Sequence, residues 1–499
     1  MKRRRRQCAW MLLCATAMLS VGCQVIRLPF GLIVNHAPAG GTALDEAALQ
    51  QRIKLPRGFF ISIYATELPN ARMMRFTASG DLLVSSPREG KVFLVERGSN
   101  AAYSDKTRTL LNGLHNPHGL ALHEDWLYVA EETAIFRVRF SAATRQVSGE
   151  REYVVRSLPA DGRHWTRTIG IGPDGWLYVS VGSSCNVCIE EDVRRAAISR
   201  YQPDGSNEQL YATGLRNAVG FAWRSNGDLY ATDNGRDLLG DDFPPCELNH
   251  IVESGFYGWP YASGNRIPDP SFGAGNEARV AASIAPVHGF TAHTAPLGIT
   301  FYDADGFPQH YRGAAFVAQH GSWNRSKKSG YKIVALLFDS SDRITEEDFA
   351  SGFEIDDDVA GRPVDVAVGP DGALYLSDDF AGSVYRIAYG TAPPHSNRLR
   401  TPVAEPVPHE SLDELSESQR SEAAARGEAI WQTNGCAGCH VSGSDPNQAA
   451  VHPLSALGRK YSLESLQRFL KTPQPPMPIF PFSDSQRRDL AMYLLQQHP

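Results

Sequence analysis

No apolar run in this 499-residue chain is long enough to span a bilayer securely; the stretch from Ala9 to Val21 is too short. Basic charge is scarce as well. The 49 Lys and Arg are outnumbered by 55 Asp and Glu, for a formal net charge of −6. That balance argues against nucleic acid or an anionic membrane surface as a partner. A Ser-Arg-Arg-x-Phe export pattern is absent, and cysteine is sparse, at eight residues.

What stands at the start is a charged segment, Lys2 to Arg6, followed by the short apolar stretch, which reads as a secretory signal over residues 1–22. It ends in Ser20-Val21-Gly22-Cys23, which resembles a bacterial lipoprotein cleavage box with Cys23 as the lipidated residue; plain secretion is the alternative. Both place the mature chain in the periplasm or cell envelope, with the membrane as partner only through the N-terminal lipid. Loss of the signal takes five positive charges with it and leaves the mature chain at −11. Residues 23–50 read as a tether.

Near the other end, Cys436-Ala437-Gly438-Cys439-His440 has the spacing at which two thiols form thioethers to one porphyrin edge while the His binds iron. Met477, in a Pro-stiffened loop, is the expected sixth ligand, with Met492 its competitor; His/Met ligation raises the haem potential. Residues 413–499 therefore read as a small all-α cytochrome c domain, joined by a Pro-rich linker over 391–412. Cys185 and Cys188 are spaced to close a local disulfide in an oxidising compartment, and lack the second pair that a zinc site needs. Cys246 is left as a buried thiol.

Between these ends a unit recurs about every fifty residues: a Gly-containing turn, then an alternating apolar run. Pro173-Asp174-Gly175-Trp176-Leu177-Tyr178-Val179-Ser180 and Pro370-Asp371-Gly372-Ala373-Leu374-Tyr375-Leu376-Ser377 are clear copies. Six copies predict an all-β six-bladed propeller over 51–390, with Phe59–Tyr64 completing the last blade. An open β-solenoid is the alternative. Loops converge at one face of a propeller, so polar loop residues are the candidates for chemistry.

At Gly214-Leu215-Arg216-Asn217, at His164 to Gly182 and at Gly255-Phe256-Tyr257-Gly258-Trp259-Pro260, the chain resembles the quinoprotein glucose/sorbosone dehydrogenases. Closest is the L-sorbosone dehydrogenase-like branch with a fused cytochrome. The resemblance implies pyrroloquinoline quinone (PQQ), Ca²⁺ and oxidation of aldoses or sugar aldehydes. It implies that His164 is the general base, suited by an imidazole pKa near neutrality, and that Arg216 is a fixed cation at the quinone carbonyls. Asn217, Arg325 and Arg362 are implied as further PQQ contacts, and His118 is a candidate funnel residue. For calcium it implies the carbonyls of Gly235 and Arg236, with Asp233, Asp237, Asp241 and Asp242 as candidate carboxylates.

Three departures stand out. Ser183 stands where glucose-oxidising members have an Asp to orient the imidazole, Val364 replaces a second cofactor arginine, and Cys185-Asn186-Val187-Cys188 fills the loop beside them. The expected activity is an exported dehydrogenase that oxidises a sugar or sugar aldehyde and passes electrons through haem c to a cytochrome or respiratory-chain acceptor. A Ca²⁺-dependent sugar lactonase and a non-catalytic glycan- or partner-binding propeller are the alternatives; neither needs a haem.

Overall fold

The computed structural model describes residues 25–27, 33–37, 40–41, 43–99, 103–160, 162–390, 417–434, 436, 454, 457, 461, 463–471 and 482–498. They fall into two compact units, residues 27–396 and a unit containing 397–499.

The larger unit is built from six blades of four antiparallel strands each, and the third gains a fifth, Gly255–Phe256, paired parallel to its outer strand. The third, for example, runs Arg167–Ile171, Leu177–Val181, Ala197–Tyr201 and Gln209–Thr213. The Asp-Gly turns join first to second strands: Gly175 takes φ +78°, and Asp174 accepts hydrogen bonds from Trp176 N and the Tyr178 hydroxyl. The same device recurs at Asp371 and Tyr375 in the last blade. The second strands are fully buried, as at Leu374–Asp378. The first strands of successive blades pack against one another in a ring. Closure comes from Phe59–Ala65, which pairs with Ser383–Tyr389 in a register of Phe59 with Tyr389 and Ile61 with Ile387. No blade edge of the ring is left open there.

The reading of residues 23–50 as a plain tether needs correction. Glu46–Arg52 is a helix capped by the Asp45 carboxylate, and Leu49 is fully buried in the core of the closing blade. Asn35 and His36 lie on the fifth-blade loop, where His36 stacks on Trp323. Burial of Leu49 outweighs the low periodicity of the segment.

In the smaller unit, helices Glu417–Thr433, Leu463–Lys471 and Asp484–Gln497 share a core of Leu466, Leu470, Leu490, Leu494 and Leu495. The last helix starts in a Ser483/Gln486 capping box. Met492 is buried in it, as expected of a core residue. Cys439, His440, Met477 and the lipidation candidate Cys23 lie outside the described residues.

Candidate active site

Turns between first and second strands lie at one face of the ring, so the loops entering each blade and the loops after its second strand share the opposite face. His118, His164, Arg216, Asn217, Arg325 and Arg362 all sit in such loops or at their strand junctions.

His164 is held by Ser183. Its Nδ1 lies 2.8 Å from the Ser183 carbonyl and 3.0 Å from Ser183 Oγ. A carbonyl only accepts, so Nδ1 carries the proton and Nε2 keeps a lone pair. Ser183 donates its own hydroxyl proton to Cys185 O at 2.7 Å. Burial, then the Arg216 charge, push the His164 pKa down to about 3. Gly182 permits this packing, since a Cβ there would collide with Asn217 Oδ1 and His164 Cβ. Because the main-chain carbonyl orients the ring, Ser183→Ala should cost less than tenfold in turnover, measured as substrate-driven reduction of a dye. A loss matching that of His164→Ala would make the hydroxyl part of the catalytic unit.

Arg216 sits where its guanidinium meets a cage of oxygens. Nε donates to Asn186 O, Nη1 to Asn234 O and Gly235 O, and Nη2 to Asn186 Oδ1 and Asp237 Oδ2, at 2.8–3.1 Å. All five donors are spent on protein oxygens. Its charge is thereby fixed in place, with its hydrogen bonds made to protein oxygens. Gly214, at φ +75°, packs on Phe256 and Gly258, which fixes the Gly-Leu-Arg-Asn turn against the Gly-Phe-Tyr-Gly-Trp-Pro segment.

The six calcium candidates do not form one shell. Asp233 accepts the Arg216 and Asn217 backbone N–H groups, and Asp237 pairs with Arg216. Asp241 accepts from Ser326, Asp242 pairs with Arg325, and Arg236 pairs with Asp269. Among the described residues, the one trio of His, Cys, Asp or Glu drawn close enough for a metal is Cys185, Cys188 and Glu190. There the two cysteines form a disulfide, while Cys246 is a buried thiol. Asp237 and Asp242 face guanidinium groups, while Asp233 accepts backbone N–H groups and Asp241 accepts from Ser326. A different acid, Glu247, was not foreseen. It shares with Asp233, Asn234 and Gly235 the lining of a cavity of about 10 Å³. Burial and then the Asp233 charge raise its pKa to about 8.

The opposite rim sets His320 among Arg72, Gln319 and Asp379, which the sequence reading passed over. His320 Nε2 lies 2.9 Å from Asp379 Oδ1, and Arg72 bonds the other carboxylate oxygen at 2.9 Å. Burial and the Arg362 charge outweigh the carboxylate's pull and lower His320 to about 4, so the pair is a neutral imidazole beside an ionised Asp379. Arg362 donates to the carbonyls of His320 and Gly321. Arg325, expected at a PQQ carboxylate, bonds Asp241 O, Ala292 O and Asp242. His118 is fully buried; its Nδ1 faces Arg167 O, leaving Nε2 with no partner. Gln319 is buried with neither amide atom bonded, and Asn217 Oδ1 and Arg72 Nε are likewise unpartnered. Buried polar groups are rarely left so, and four on one face mark a place for a polar ligand. The registers reveal a signal that was available: Glu131, Asp233, Gln319 and Asp378 fall at or just past the end of the second strand in their blades.

Known proteins bear on this arrangement. The TrAA12-like family profile matches residues 53–246 and 272–390. An uncharacterized protein of Borreliella burgdorferi is 31% identical over 385 residues, 73% of this chain and 98% of the relative. The aldose sugar dehydrogenase YliI of Escherichia coli is 26% identical over 284 residues, 51% of this chain and 68% of its own. Among solved structures, the holo form of the pyranose dehydrogenase PQQ domain from Coprinopsis cinerea superposes with a TM-score of 0.60 at 20% identity, covering 70% of this chain and 99% of that one. The calcium structure of a Trichoderma reesei family AA12 enzyme gives 0.61 at 21%, with the same coverage. At these identities the structural likeness is one of fold.

Proposed function

Because the chain belongs to the TrAA12-like family, we propose that it is an oxidoreductase that oxidises an aldose or sugar aldehyde at PQQ held in the propeller funnel. The carrying observation is the set of buried polar atoms without partners on that face, at His118 Nε2, Gln319, Asn217 Oδ1 and Arg72 Nε. Burial first, and then Arg216, Arg72 and Arg362 in turn, lowers the pKa of His164, His118 and His320. A tricarboxylate is the kind of ligand that relieves such a field. The Escherichia coli aldose sugar dehydrogenase and the PQQ domain of the Coprinopsis cinerea pyranose dehydrogenase support the same chemistry.

Arg72, Arg362, Gln319, His118 and Asn217 are the residues that would hold the cofactor. When bound, PQQ supplies a two-electron acceptor. The chain's part is to take the sugar hydroxyl proton. His164 presents a lone pair at Nε2 for that, with the ring fixed through Nδ1. Arg216, immobilised by its oxygen cage, supplies a fixed charge that favours negative charge developing near it. For calcium, the carbonyls of Gly235 and Arg236 are the groups the family resemblance would use to hold the ion, and no step is drawn through it. A second reading for the base is His320, because it alone of the two imidazoles carries a carboxylate, Asp379.

Electrons leave, in this reading, through a haem c on Cys436, Cys439, His440 and Met477, in an exported protein tethered through Cys23. Met477→Ala should remove the near-infrared sulfur-to-iron band; an unchanged spectrum assigns the sixth ligand elsewhere. The reading as a whole is tested with purified full-length protein, PQQ and Ca²⁺. Aldoses, sugar aldehydes and alcohols are screened while dye and haem reduction are followed. PQQ-dependent reduction is the expected result; failure to bind PQQ, or no substrate among the three classes, would sink it.

A further inference from the structure

The loop over residues 182–196 has no regular structure, yet contacts from it reach both His164 and Arg216. Asn186, enclosed by the Cys185–Cys188 disulfide, is its centre. Its backbone oxygen accepts from Arg216 Nε, and its side-chain oxygen accepts from Arg216 Nη2 and Asp237 N, each at 2.9 Å. Its amide donates to Asp237 O at 3.0 Å. One residue earlier, Cys185 O receives the Ser183 hydroxyl, which with the Ser183 carbonyl fixes His164. The loop is tied at its flanks as well. Ser183 N donates to Arg216 O, and Ser184 N to the Glu190 carboxylate.

We propose that the disulfide-closed loop is a positioning device for the active site, with Asn186 as the positioning residue that holds Arg216 and Asp237 in place beside His164. The inference rests on the proposed oxidoreductase reading for its kinetic consequence, and on geometry alone for its structural one. An Asn in an open loop would lose rotamer and backbone entropy to make four bonds at once; the closed ring has already given up much of that freedom. Opening it takes a two-electron reductant, such as a phosphine that leaves as its oxide with oxygen from water, while Cys185 and Cys188 gain two electrons and two protons. Asn186 is then free to leave the Arg216 cage, and the propeller strands on either side keep their own ladders.

Two arms test this on the full-length protein. In the first, PQQ-loaded Asn186→Ala and the Cys185→Ser/Cys188→Ser double variant are assayed for substrate-driven dye reduction. A misplaced site group costs on the order of 10²-fold, so each should lose about that in kcat with a smaller change in KM. Asn186→Asp keeps the oxygen that Arg216 and Asp237 N–H bond to, and should recover most of the loss. The second arm needs no cofactor and no substrate. Histidine NMR of the apo protein, before and after a phosphine reductant, should show the His164 titration moving up as Arg216 departs. The other charged groups near it, Arg195 and Arg163, stay, and His118, on another blade, should not move. Failure of the sugar-oxidation reading would silence the first arm and leave the second intact. Wild-type kcat in both variants overturns the proposal. So does an unmoved His164 titration, or loss of the sheet circular dichroism on reduction, which would make the disulfide a staple of the fold.

Discussion

Replacing His164 by Ala should slow substrate-driven reduction by about 10²–10⁴-fold, the usual contribution of a general base. Reduction of the proposed haem c by an added chemical reductant should be unchanged. The expectation rests on tautomer. Nδ1 is pinned as a donor by the Ser183 carbonyl, so Nε2 is the atom with a free lone pair. The ring lacks the carboxylate that would stabilise an imidazolium, and burial with Arg216 holds its pKa near 3 in the ligand-free protein. A polyanionic ligand in the funnel offsets Arg216, so PQQ binding should move that pKa upward, and apo and loaded protein should titrate differently by NMR. His320→Ala is the companion variant. If it carries the loss and His164→Ala retains wild-type turnover, the proton goes to the imidazole beside Asp379. Full activity in both variants would remove the base from the two rims altogether.

The blades were legible because their information is local. An Asp-Gly turn demands positive φ, and a Leu/Tyr/Val alternation demands a buried strand; both recur with the chain's own period. Even the closure by Phe59–Ala65 could be read, since one apolar strand was left over at the start. The funnel candidates His118, His164, Arg216, Asn217 and Arg362 could be named from motif and loop position. The acids could not be assigned a role. Nothing in Thr232-Asp233-Asn234-Gly235-Arg236-Asp237 tells an acid that will hold a cation from one that will hold backbone N–H groups. In the fold, Asp233 accepts Arg216 N and Asn217 N much as Asp378 accepts Arg362 N and Glu131 accepts His115 N. These acids are a repeat feature that aims the incoming loops of the second, fourth and sixth blades. Arg72, Gln319 and Asp379 went unseen because their meaning lies in which blades become neighbours, and the first and last blades meet only at closure. Asn186 needed the contact with Arg216, thirty residues on, before it meant anything.

Asp379→Asn should damage both stability and turnover. The carboxylate joins Arg72 and His320, all largely buried, with Arg362 close by. Deleting one charge of such a group leaves the others uncompensated and typically costs about 3–5 kcal/mol, so the melting temperature should fall by several degrees. The sign with pH is specific. The Arg72, Arg362 and His320 surroundings hold Asp379 well below the usual carboxylate range, so its stabilisation is present above the unfolded pKa and is lost as pH falls through the folded one. His320 is neutral in the folded wild type down to about pH 4. Without its carboxylate it is more strongly neutral still, so its proton uptake on unfolding below pH 6.5 is common to both proteins. The gap in melting temperature between wild type and variant should therefore stay constant from pH 8 to pH 5 and close only near and below about pH 4. A gap that closes instead between pH 7 and 6 would mean that a charged His320, and not an ionised Asp379 beside a neutral ring, is what Arg72 and Arg362 surround. Turnover separates two roles for the pair. If His320 takes the proton, Asp379→Asn loses activity in step with His320→Ala. If the pair only seats Arg72 and Arg362 for the anionic cofactor, the variant binds PQQ more weakly, and excess PQQ restores the rate.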